Sequence, residues 1–99
     1  MCTLIVLDRV VPRVPLVVAS NRDEYLSRPA APPALVRAEG PEGIPRVAPQ
    51  DLEAGGTWMG VNARGLFVGL TNRPSTRRDR NRRSRGKLVM DALGYEDAE

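Results

Sequence analysis

The chain has 99 residues, enough for one domain, and it is 41% hydrophobic and 27% charged, a globular rather than a disordered balance. It has no histidine and one cysteine, which excludes a Cys-His catalytic pair, an internal disulfide, and zinc sites built from four cysteines or from cysteine and histidine together. A formal net charge of +3 gives no strong argument for a nucleic-acid partner.

Cys2 opens an apolar run, and residues 2–7 are predicted as a strand rich in β-branched residues and Leu. No basic region precedes this run and it breaks at Asp8-Arg9, so it is too short for a signal segment or a membrane span. Cys2 occupies the position where N-myristoylation requires glycine. A cytoplasmic, reducing location is expected. Residues 10–15 carry Pro12 and Pro15 and are predicted as a turn. Leu16-Val17-Val18-Ala19-Ser20 is a second strand, completing a hairpin, and its continuous apolarity predicts burial on both faces. Asn21-Arg22-Asp23-Glu24 follows abruptly. Four polar residues at the end of a buried strand are well placed to carry function, and locally they also fit a polar turn or a helix cap.

Residues 28–50 contain six prolines together with Gly40 and Gly43, which predicts extended chain and turns, either a functional excursion or a short edge hairpin. Residues 57–62 and 66–71 flank Ala63-Arg64-Gly65 and are predicted as a second hairpin. Gly55-Gly56 permits close backbone approach, and Gly60 and Gly69 within the strands predict another layer, or a ligand, packed against them. Six arginines fall between 77 and 85 without interleaved aromatics, which favours a solvated loop over a phosphate or nucleic-acid contact. Ser84 is placed to N-cap a final helix whose apolar stripe is Leu88, Val89, Ala92 and Leu93.

Met1 is normally trimmed when the next residue is small, which would leave Cys2 with a thiol and a free α-amine. An amine of pKa about 7.7–8.0 is able to take the proton of a thiol of pKa about 8.5, so one residue would supply both nucleophile and base. A lone terminal cysteine is otherwise an inert small apolar residue.

Three blocks stand in order: Met1-Cys2-Thr3, Asn21-Arg22-Asp23-Glu24, and Gly55-Gly56-Thr57-Trp58-Met59-Gly60-Val61-Asn62 running on to Leu70-Thr71-Asn72-Arg73. Together they resemble the NRDE family, the transport and Golgi organisation protein two family, over essentially the whole chain. That family is similar in turn to N-terminal nucleophile hydrolases of the choloylglycine hydrolase and penicillin acylase group. The resemblance implies an α+β fold, part of a four-layer αββα sandwich, with antiparallel hairpins plus one C-terminal helix. It implies a single domain, 1–99, forming the N-terminal portion of a longer family architecture.

The resemblance also implies site residues. Cys2 would be the nucleophile, Asp23 would orient its α-amine, and Asn72 would line the oxyanion hole. Asn21, Arg22, Trp58 and Asn62 would surround the substrate. The relatives place an Arg just before their Asn-x-Asp, where this chain has Ser20; since strand residues alternate faces, Arg22 need not replace it. The implied activity is cleavage of non-peptide amide bonds. The alternative is a non-catalytic protein that binds or traffics a small molecule such as haem or lipid. No cofactor or metal is expected. The expected partner is a small-molecule substrate or ligand, with no specific nucleic acid and no membrane span, and self-association if the chain is truncated.

Overall fold

A computed structural model describes residues 2–37, 43–72, 79 and 81–99. The fold is α+β: six strands in two antiparallel sheets and one C-terminal helix. Strands β1 (Thr3–Val11) and β2 (Val14–Asn21) form a two-stranded sheet; β3 (Ala30–Val36), β4 (Arg46–Asp51), β5 (Met59–Asn62) and β6 (Phe67–Gly69) form a four-stranded sheet in sequence order. Helix α1 spans Arg85–Ala92. None of the described helical segments is long and apolar enough to cross a membrane.

The first hairpin is longer than its sequence suggests. Val10, Val11, Val14 and Pro15 belong to strands, and the turn shrinks to Pro12-Arg13, with Val11 facing Val14. Pro12 followed by Arg13 at φ 64° is the order that type II turns use. Arg9, at φ 55°, falls where the register shifts between Asp8 and Val11. Pro15 is tolerated because each strand of a two-stranded sheet is an edge. The expected burial of 16–20 on both faces is not found. Leu16 is exposed and Val17 and Val18 are half-buried, because among the described residues no full layer covers this sheet.

The proline-rich stretch forms the edge hairpin β3–β4, with residues 38–42 outside the described segments. Pro32 and Pro33 sit on the edge strand at a register shift between Ala31 and Ala34. Pro49 lies opposite that shift and beyond the two residues through which β4 pairs β5, so none of the three prolines interrupts a regular ladder. β5 and β6 form the predicted second hairpin, closed by Gly65 at φ 87°.

The small core lies between this sheet and α1. Ala48, Val89 and Leu93 are buried, with Val68, Leu70 and Met90 packed around them. A β-carbon at Gly60 would sit 2.6 Å from Leu93 Cδ1, so the layer expected over Gly60 is the end of α1. Ser84 occupies the N-cap position without a side-chain capping bond. Val89 and Leu93 are buried with Gly86 half-buried on the same side, while Leu88 is exposed: Gly86 meets Gly56 and Thr57, which turns that side of α1 to the sheet and leaves Leu88 outward.

Candidate functional site

The end of β2 is tied to the start of β1. Thr3 pairs with Asn21 in the ladder, and the Thr3 N–H donates to Asn21 Oδ1 at 2.7 Å. Asn21 Nδ2 in turn donates to Asp23 Oδ1 at 2.8 Å. The Asn21 side chain therefore bridges the residue next to Cys2 and the carboxylate of Asp23. Cys2 is half-buried with a free thiol; Met1 lies outside the described residues.

Arg22 points to the other side of the chain. Its Nη2 donates to Asp51 Oδ2 at 3.0 Å, and its guanidinium carbon lies 4.6 Å from the Trp58 ring centroid, a cation–π stack. Arg22 and Asp23 lie just past the end of β2, and their side chains have different partners: Asp23 meets Asn21, Arg22 meets Asp51 and Trp58. The Arg22 guanidinium thus contacts both Trp58 and Asp51, the last residue of β4.

Asp51 and Arg28 escaped the sequence reading. Asp51 ends β4, and its Oδ2 also accepts from Arg28 Nε at 2.9 Å, with Arg28 Nη2 in ion-pair contact at 2.7 Å. Its Oδ1 accepts the backbone N–H groups of Glu53 at 3.0 Å and Ala54 at 3.1 Å. Burial pushes the Asp51 carboxyl up, but the Arg28 hydrogen bond and the Ala54 and Glu53 N–H groups outweigh it and hold the pKa at about 2. The Asp51 hydrogen bond, against a smaller cost of burial, raises the Arg28 pKa. An Asp four residues before Gly55 is an Asx-turn signal that marks the turn at 51–55, but no local pattern reveals a partner 29 residues away.

Asn62 is 5% exposed and commits its amide to the fold. Its Nδ2 donates to Leu93 O at 3.1 Å and Tyr95 O at 2.7 Å, and its Oδ1 accepts from Arg64 N at 2.9 Å and Leu66 N at 3.0 Å. These bonds close the β5–β6 turn and hold the chain after α1. Asn72 is exposed, three residues beyond Gly69, where a β-carbon would lie 3.3 Å from Leu4 Cδ2 of β1. The end of β6 therefore lies against the Leu4 side chain of β1. Of the arginine-rich stretch, Arg77, Arg78 and Arg80 lie outside the described residues, as does Arg73. Among the described residues, no group of three or more Cys, Asp or Glu side chains is arranged to hold a metal ion.

The family model described as Transport and Golgi organisation 2 matches residues 1–99. The chain is similar to the Bos taurus Transport and Golgi organization protein 2 homolog, 38% identical over 87 residues that cover 81% of this chain and 31% of the relative. It is 36% identical to the Mus musculus homolog and 34% identical to the Homo sapiens homolog, with the same coverage. The chain therefore spans about a third of the length of these curated relatives. No solved structure matches it. With the Asn21–Glu24 tetrapeptide placed against the start of β1 and the match running from end to end, the chain belongs to the Transport and Golgi organisation 2 family.

Proposed function

We propose that Cys2, freed by removal of Met1, is the nucleophile of an N-terminal-nucleophile site that cleaves non-peptide amide bonds. The observation that carries this reading is the Asn21 bridge, 2.7 Å to the Thr3 N–H and 2.8 Å to Asp23, which ties the polar motif to the residue beside the thiol. In the proposed reaction the Cys2 α-amine takes the thiol proton and the sulfur attacks the amide carbonyl carbon. The C–N bond breaks, the amine leaves with the proton, and water hydrolyses the thioester to restore the thiol. Asp23 keeps the α-amine basic, since a nearby carboxylate favours its protonated form. Asn72 supplies the N–H donor for the developing oxyanion, a role worth about 2.7–4 kcal/mol where such donors have been removed. Arg22 and Trp58 form the wall on the far side of the motif, and Asn62 keeps the hairpin leading to Asn72 in register.

The test is amine release from a panel of acyl anilides of varied chain length. Cys2→Ala should abolish release, and Asn72→Ala should lower the rate by about 10²–10³-fold. Release that persists undiminished in Cys2→Ala would remove the reading.

A further inference from the structure

The Arg22 side chain is held not by Asn21 or Asp23 but by Asp51, at the end of β4, and Trp58, just before β5. Asp51 Oδ2 receives Arg22 Nη2 at 3.0 Å together with Arg28 Nε at 2.9 Å, with Arg28 Nη2 in ion-pair contact at 2.7 Å, while Asp51 Oδ1 is fixed by two backbone N–H groups. Four hydrogen bonds and the Arg28 ion pair leave that carboxylate little freedom to turn. The side chains of Asp51 and Arg22 are only 13% and 16% exposed, so solvent competes weakly for their charge-assisted bond. The Trp58 face closes one side of the guanidinium at 4.6 Å.

The consequence lies in the backbone. Arg22 stands between the residue whose side chain grips the Thr3 N–H and the residue whose carboxylate orients that side chain. Fixing Arg22 against the four-stranded sheet fixes the direction in which Asn21 and Asp23 point. We infer that Asp51, acting through Arg22, is a positioning residue for the Cys2 site, an inference that rests on the nucleophile reading above. Asp51 takes no part in the chemistry itself: it holds the motif so that its two other polar groups face the start of β1.

Amide hydrogen exchange at Thr3 tests this directly, because that N–H is bonded to the Asn21 side chain and reports its placement. The variants are Asp51→Asn and Arg22→Lys, the second leaving the 51–55 turn and its capping carboxylate untouched. Both should speed Thr3 exchange about tenfold while the Leu93 N–H, bonded to Val89 O within the core, exchanges as in the parent. Alkylation of Cys2 by iodoacetamide near neutral pH should slow in the same variants, about threefold, as Asp23 loses its fixed relation to the α-amine. If Asp51→Asn loosens every amide through loss of the turn, Arg22→Lys decides. Unchanged Thr3 exchange in Arg22→Lys overturns the inference, and so does uniform acceleration that includes Leu93, since the bond would then support the whole fold rather than the site. Faster Thr3 exchange with an unaltered alkylation profile keeps the clamp and overturns the nucleophile reading.

Discussion

At Asp51 the Arg28 guanidinium and two backbone N–H groups prevail over burial, and the carboxyl is held at about 2 against an ordinary 3.8. The linkage follows from that direction. A depressed folded-state pKa contributes stability that is fully present above about pH 4 and is lost as pH falls through about 2. The contribution is on the order of 1–2 kcal/mol. Urea unfolding of the parent and Asp51→Asn at stepped pH should therefore show a gap at neutral pH that narrows between about pH 4 and pH 2; a gap independent of pH would contradict the assignment. Asn62 makes a second residue-scale prediction. Its replacement by Ala strands the carbonyls of Leu93 and Tyr95 and two turn N–H groups, and should cost roughly 2–3 kcal/mol in chemical unfolding. The position of Asn62 in a Gly-x-Asn hairpin was legible in the sequence. Its burial was not, because that depends on where the chain after α1 returns, which no spacing within the hairpin encodes.

Among the elements, the two β-hairpins and the final helix could be read from apolar runs, turn residues and helical spacing. The edge hairpin at β3–β4 could be read from its prolines, which suit only an edge or a register shift. The limits of the reading have physical causes. Val10, Val11, Val14 and Pro15 became strand because a two-residue turn with Arg13 at positive φ suffices to reverse the chain, and a rule that gives prolines to turns overlooks an edge strand that needs no N–H from Pro15. Leu88 faces outward because Gly86 lets α1 approach Gly56 at backbone contact, and helical spacing alone does not choose between neighbouring stripes. That approach is testable. A β-carbon at Gly56 would lie 2.5 Å from the Gly86 carbonyl carbon and 2.7 Å from its Cα, both backbone atoms with little room to move. Gly56→Ala should destabilise the fold by about 1–3 kcal/mol, read as a lowered urea midpoint, and should weaken the Thr57 N–H bond to Gly86 O.

Across the whole molecule the two sheets differ in cover. The four-stranded sheet carries α1 and the core, whereas the β1–β2 sheet leaves Ile5, Val6, Val10 and Leu16 exposed. Apolar strands with open edges associate with one another. The weight-average mass in solution should rise with concentration, and Ile5→Lys or Val10→Lys should return it toward that of one chain; a concentration-independent monomer in the parent would contradict this. The proposed site lies where the sheets meet: Cys2, Thr3, Asn21 and Asp23 at the end of the hairpin, Arg22 reaching across to Asp51 and Trp58, and Leu4 of β1 beside Gly69 of β6. The motif at 21–24 was legible as a polar segment ending β2, and the partners of its side chains became clear only with both sheets in place. The most direct measurement of the central claim is intact-mass analysis of the chain after incubation with an activated acyl amide, with the adduct mapped to its residue. The account predicts a chain lacking Met1 that carries one acyl group on the Cys2 sulfur, absent from Cys2→Ala. A chain that retains Met1, or an acyl group found elsewhere with Cys2 unmodified, would contradict it.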